Sequence, residues 1–167
     1  MTRFASITLE RRLSEQLAEA RRAGADFTPA MDEISKMMLV NVNRRFATET
    51  GVSGVAWKKS LRVLQEGGRT LRETGTLQRS IDRRPGRDFA EVGVEGGGPQ
   101  VTYAAIHQFG GTIKPRRKKA LSFGGRVVSQ VVMPKRDYLG FDVEEREDIP
   151  LILAKHLRKI FDEAAAV

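Results

Sequence analysis

The residue with the most chemical potential is His107, set in the run Tyr103-Ala104-Ala105-Ile106-His107-Gln108-Phe109-Gly110-Gly111. An imidazole working as a general base needs a nucleophile within reach and a carboxylate to orient it. This run supplies neither Ser nor Asp, and no motif elsewhere supplies them. His107 therefore reads as a packed, hydrogen-bonded structural residue. His156 sits on a helix flank beside Lys155 and adds nothing. With two histidines and no cysteine, thiol nucleophiles, disulfides and thiolate zinc sites are excluded and little remains for a metal. The glycines build no phosphate loop: Gly96-Gly97-Gly98 runs into Pro99 without Lys-Ser or Lys-Thr at the required spacing, and Gly124-Gly125 lies in a hairpin. Catalytic, cofactor-binding and metal-ligating residues are all expected to be absent.

Charge is the second chemical resource. The net charge is +8, and residues 112–136 carry Lys114, Arg116, Arg117, Lys118, Lys119, Arg126, Lys135 and Arg136 with no acid. Removing these 8 from the 29 basic residues leaves 21, which balances the 21 acidic ones. An acidic stretch follows at once, with Asp142, Glu144, Glu145, Glu147 and Asp148. A basic block beside an acidic one has three readings: nucleic-acid contact, head-to-tail pairing between subunits, or a solvated surface. The run Lys114–Lys119 has phosphate-binding composition. It lacks interleaved aromatics and any recognition helix, so sequence-specific binding is not expected, while non-specific contact with DNA or an acidic partner stays open.

The elements that must position these residues follow from periodicity. Leu13, Leu17 and Ala20 share one face of a helix over 11–22, which Gly24 ends. Thr28 as N-cap and Pro29 at the first helical position open a second helix, with Ile34, Met37, Met38, Val42 and Phe46 as its apolar stripe up to Gly51. Trp57, the only tryptophan, reads as an anchor, and Leu61 and Leu64 suggest a short helix ending at Gly67-Gly68. A hairpin is predicted from Ser80–Arg84 through the turn Pro85-Gly86-Arg87-Asp88 to Phe89–Val94. A second strand pair is expected at Ala120–Phe123 and Val127–Met133, and a last helix from about Asp148-Ile149-Pro150, with Leu153, Leu157, Ile160 and Phe161 on one face. Helices at both ends of mainly antiparallel hairpins predict an α+β fold, the second and last helices covering one face of the sheet.

At 167 residues the chain suits one domain, 1–167. No apolar run nears the ~18 residues needed to span a bilayer, and the first residues do not read as a signal peptide. A soluble cytoplasmic protein with no membrane partner is the expectation.

Four segments carry a resemblance. They are Phe46–Trp57; Leu71-Arg72-Glu73-Thr74-Gly75-Thr76-Leu77-Gln78-Arg79-Ser80-Ile81; Tyr103–Gly111; and Met133-Pro134-Lys135-Arg136-Asp137-Tyr138-Leu139-Gly140. In order and register they resemble the phage virion morphogenesis, or tail-completion, family of Mu-like and P2-like phages. Its patterns are a turn before a Trp, Thr-Gly-x-Leu-x-x-Ser-Ile, Tyr-Ala-x-x-His-x-Phe-Gly-Gly and Pro-x-Arg-x-Phe-Leu-Gly. The chain departs from it at Lys58-Lys59, where Pro and Leu are common, and at Tyr138 in place of Phe. Small head–tail joining proteins share part of this core.

The resemblance implies a structural virion protein without enzymatic activity or cofactor. It would complete the tail and mediate head–tail joining through a ring of its own copies, six-fold by analogy with stacked tail rings. Its partners would be tail tube or terminator proteins and head connector proteins, and its location the virion neck or tail after assembly in the host cytoplasm. Within that reading, Trp57, Thr74, Gly75, Leu77, Tyr103, His107, Phe109, Gly110, Gly111, Pro134, Arg136, Leu139 and Gly140 are architectural. Lys114, Arg116, Arg117, Lys118 and Lys119 with Asp142, Glu144 and Glu145 form the assembly surface. A small basic nucleic-acid-binding module is the alternative, and an enzyme built on His107 the third reading.

Overall fold

The structure is a computed structural model that describes residues 3–95, 99–115, 120–123 and 126–166. Among the described residues six helices and six short strands follow one another in the order α1 (Arg3–Arg22), α2 (Thr28–Thr48), α3 (Leu61–Glu66), α4 (Thr76–Arg79), β1 (Ile81–Pro85), β2 (Ala90–Val94), α5 (Pro99–Phe109), β3 (Gly111–Ile113), β4 (Leu121–Phe123), β5 (Arg126–Val128), β6 (Val131–Met133) and α6 (Val143–Ala165). The fold is α+β. Its strands form three two-stranded ribbons, β1–β2, β3–β6 and β4–β5, so among the described residues there is no single sheet for two helices to cover.

The expected strand Val127–Met133 is two strands. Ser129-Gln130 interrupts it, β5 pairs with β4, and β6 turns away to pair antiparallel with β3, which periodicity did not flag because it is three residues long. The last helix begins at Val143, earlier than Pro150 suggested. Asp142 caps it: its carboxylate accepts from Glu145 N at 2.9 Å while Glu145 Oε2 accepts from Asp142 N at 2.8 Å. This reciprocal pair satisfies N–H groups that helix geometry leaves orphaned, and Pro150 is accommodated inside the helix. At α2 the cap is also shifted. Asp26 Oδ1 accepts both Thr28 N and the Thr28 hydroxyl, at 2.9 and 2.6 Å, so Thr28 is a donor and not the capping acceptor.

The chain sorts into two compact units, each discontinuous in sequence: Met1–Met38 with Arg83–Glu91 and Phe141–Val167, and Leu39–Asp82 with Val92–Gly140. In the first, α1 packs on α6, with Ala20, Phe27 and Leu157 buried and Leu13, Leu17, Met31 and Ile160 half-buried against them. Ion pairs surround that core. Glu33 accepts from Lys155 Nζ at 2.8 Å and contacts His156 Nε2 at 2.8 Å, Asp32 pairs with Arg83, and Arg21 with Asp88 at 2.8 Å. His156, unremarkable in the sequence, thus helps to fasten α2 to α6. Lys155 foremost, then His156, holds the Glu33 carboxyl below its ordinary range.

The second unit is built on Val42, Phe46, Trp57, Leu71, Leu77, Ile81, Ala104 and Tyr138. Trp57 meets Phe46 edge to face at 5.5 Å between centroids, and Tyr138 lies against the same Phe46 at 5.2 Å, geometries that favour the ring quadrupoles. The Met residues of α2 stay half-buried. In α3, Val63 is the buried side chain, while Leu61 and Leu64 are exposed. Phe141, next to the last motif, is exposed as well, and Tyr138 and Leu139 are the apolar side chains of that segment that pack on the core.

Candidate functional site: the motif knot around His107 and Arg136

Three of the four motif segments meet within the second unit at residues 134–140, a stretch with neither helix nor strand. Such backbone cannot satisfy its own polar groups, and burying them unpaired is costly. Side chains from α5 and α2 do the pairing. Gln108 Oε1 accepts from Tyr138 N and Leu139 N, each at 3.0 Å, and its Nε2 donates to Leu139 O at 2.7 Å. Arg45 Nη1 donates to Gly140 O at 2.8 Å and to Tyr138 O at 3.2 Å. The Tyr138 hydroxyl donates to Ala104 O at 3.0 Å. Ala104, His107 and Gln108 lie three and four residues apart and so share the face of α5 turned to this segment.

His107 and Arg136 close the knot. Arg136 N donates to His107 O at 2.8 Å, Arg136 Nε donates to Lys58 O at 2.8 Å, and Arg136 Nη1 stands 3.4 Å from His107 Nδ1. Both side chains are buried. Tyr103 packs its ring edge-on to the imidazole at 4.4 Å. Burial, with the Arg136 charge beside it, pushes the His107 pKa down to about 4, so at neutral pH the ring is uncharged. Burial raises the Tyr103 hydroxyl, helped by Glu73, and pushes Tyr138 up to about 12.

Glycines make the approach feasible at two motif positions. Gly110 has φ 71, and a Cβ there would stand 2.8 Å from Lys135 N and 3.0 Å from Met133 O, against backbone that cannot yield. Gly75 takes φ 72 as the residue before α4, where the Thr74 hydroxyl accepts from Thr76 N at 3.3 Å. Leu77 is then buried in the core. Gly111, Pro134, Leu139 and Gly140 lie along the same knot, while Phe109 is exposed at the end of α5.

The chemistry available here is cohesion. Among the described residues no carboxylate or nucleophile bonds to His107; its neighbours are a guanidinium and a phenol ring. A cleft of about 100 Å³ is lined by Leu71, Glu73, Thr74, Leu77 and Tyr103, well under the ~300 Å³ of typical small-molecule sites. No cluster of His, Asp and Glu suited to a metal occurs among the described residues, and no helix among them is long and apolar enough to cross a membrane.

The predicted assembly residues fare differently. Lys114 is exposed, whereas Arg116, Arg117, Lys118 and Lys119 lie outside the described residues. Glu144 is exposed on α6. Asp142 and Glu145 form the capping box, and Glu145 is 1% exposed, so burial takes it off any docking surface. Arg45 and Gln108 escaped the sequence reading. Gln108 falls at a variable position of its motif, and Arg45 looks like an ordinary charge on α2.

No curated protein and no solved structure matches the chain. A family model does, that of the phage virion morphogenesis family, over residues 9–158 of the 167. The match takes in both units and every segment of the knot, and the chain belongs to the phage virion morphogenesis family.

Proposed function

We propose that this protein is a tail-completion factor: a structural, non-catalytic part that finishes the tail of a phage or prophage and gives the head connector a surface to join. The observation that carries this reading is how the motif residues are used. His107, Arg136, Gly110 and Tyr138 are spent on one another and on backbone carbonyls, and the imidazole sits buried with its pKa near 4. A general base for neutral pH works best with a pKa near that pH, well above this one. Function is then left to the surface. In this reading the chain acts by association, as a ring of its own copies, with Lys114–Lys119 and the exposed acids Glu144, Glu147 and Asp148 as contact regions. A ring needs one patch meeting a different patch on the neighbour, which a chain with separate basic and acidic segments can offer.

Deleting the gene from its phage tests the proposal. The expected lysate holds filled heads and separate, full-length tails, with almost no joined particles in the electron microscope. Joined particles at normal yield overturn it.

A further inference from the structure

Helix α3 presents most of its apolar side chains outward. Its buried side chain is Val63, while Leu61 and Leu64, three residues apart and so neighbours on one face, are 58% and 67% exposed. A helix of six residues has little stability of its own, and grouped exposed apolar side chains mark contact surfaces. Lys58 and Lys59, just before the N-cap Ser60, are exposed and form no ion pair among the described residues. Over residues 49–79, all of them described, there are six basic side chains and three acidic ones. Each acid is otherwise placed. Glu49 accepts from Thr70 N at 3.1 Å, Glu73 lies 3.7 Å from Arg62, and Glu66 falls about 170° around the helix from the leucines. This face is apolar and basic, and a matching surface must be apolar and acidic.

The chain itself contains one. On α6, Glu144, Glu147, Asp148 and Leu151 fall within about 100° of each other around the axis, all exposed, with Val143 exposed at the helix start. Neither surface can pair with its own kind, because lysine would meet lysine and carboxylate would meet carboxylate. Duplex DNA would use Lys58 and Lys59 but has no use for Leu61 and Leu64. An acidic helix with an exposed leucine uses both.

We propose that the Glu147–Leu151 stripe of α6 in one copy docks on the Leu61–Leu64 face of α3 in a second copy. Glu147 and Asp148 then meet Lys58 and Lys59, Leu151 meets the two leucines, and the heterologous contact repeats from copy to copy. The proposal rests on the self-association read above and gives its acidic region a counterpart. Reciprocal rescue tests it. The double variants Lys58→Glu/Lys59→Glu and Glu147→Lys/Asp148→Lys each place like charge against like, which weakens association by at least about tenfold. Light scattering on the full chain is expected to find wild type assembled and each variant monomeric, near 18.6 kDa. An equimolar mixture of the two variants is expected to assemble again, since every contact in an alternating array is then complementary. Should Lys58→Glu/Lys59→Glu fail to fold, Leu64→Glu puts negative charge on the same face. Leu61→Ser/Leu64→Ser keeps every charge and is expected to weaken assembly by at least about tenfold as well. Variants that assemble like wild type, a mixture that stays monomeric, or a wild-type chain monomeric at about 100 µM each overturn the interface. The two claims fail separately. Rescue together with normal joining in the gene deletion leaves the interface standing and removes the neck role, whereas separate heads and tails without rescue remove the interface alone.

Discussion

The two units of this chain are held by opposite means. In the unit of α1 and α6, exposed ion pairs do much of the fastening: Glu33 with Lys155, and Arg21 with Asp88. Around residues 134–140 the fastening groups are buried and pair with backbone, through Gln108, Arg45, Tyr138 and the neutral His107. Exposed ion pairs gain little because water and salt screen both partners. A buried side chain that serves otherwise orphaned peptide groups gains more, and its loss leaves those groups unpaired. The motif residues His107, Gly110, Arg136 and Tyr138 lie in the second kind of region.

The widest predicted gap is Gln108→Ala, which strands two peptide N–H groups and a carbonyl. It should lower stability by about 2–4 kcal/mol, read as a fall in urea midpoint. A change below about 1 kcal/mol would mean the 134–140 segment is held by packing alone, and the contrast would collapse.

His107→Gln sharpens the comparison through pH. Between pH 6.5 and about 4 the unfolded chain takes up a proton on this imidazole that the folded chain refuses. Stability contributed by the neutral ring is therefore complete above pH 6.5 and declines as pH falls toward 4, by about 1–3 kcal/mol in all. The Gln variant should flatten that part of the profile while leaving any effect of Glu33 untouched. Glu33 has a lowered pKa, so its contribution is present above the ordinary carboxyl value of 4.5 and is lost below it, a separate window. A wild-type profile already flat from pH 6.5 to 5 would contradict the buried neutral imidazole.

Gly110→Ala asks whether the helix end must touch β6 so closely. With positive φ and backbone 2.8 Å from the new Cβ, a loss of about 1–3 kcal/mol is expected in thermal melts. Lys155→Ala should give the smallest effect, under about 1 kcal/mol, and none at 1 M salt. A larger, salt-independent loss would place this pair among the buried fastenings.

Much of this was legible in the chain. Gly24, Gly67 and Gly110 punctuate helices and a hairpin turn joins β1 to β2, though at Gly86–Phe89, one residue later than the expected Pro85–Asp88; Trp57 is buried as an anchor. What escaped is non-local or ambiguous. Arg45 reaches carbonyls 93 and 95 residues away, which periodicity cannot encode. β3 is too short to show alternation, and its partner β6 looked continuous with β5. The acidic block drew attention as surface charge, although Asp142-x-x-Glu145 is also a capping signature. Pro150 then drew the expected helix start to its own position, because proline is commoner at a helix start than inside one.

The central claim, a structural part and not a catalyst, is tested most directly by titration. Heads and tails from the gene-deleted phage are mixed with rising amounts of purified protein, and joined particles are counted. The account predicts that yield climbs in proportion to protein added and levels off at a fixed number of copies per particle, with His107→Gln following the same line. Complete joining at far fewer than one copy per particle, or a His107→Gln protein that is folded yet inert, would contradict it.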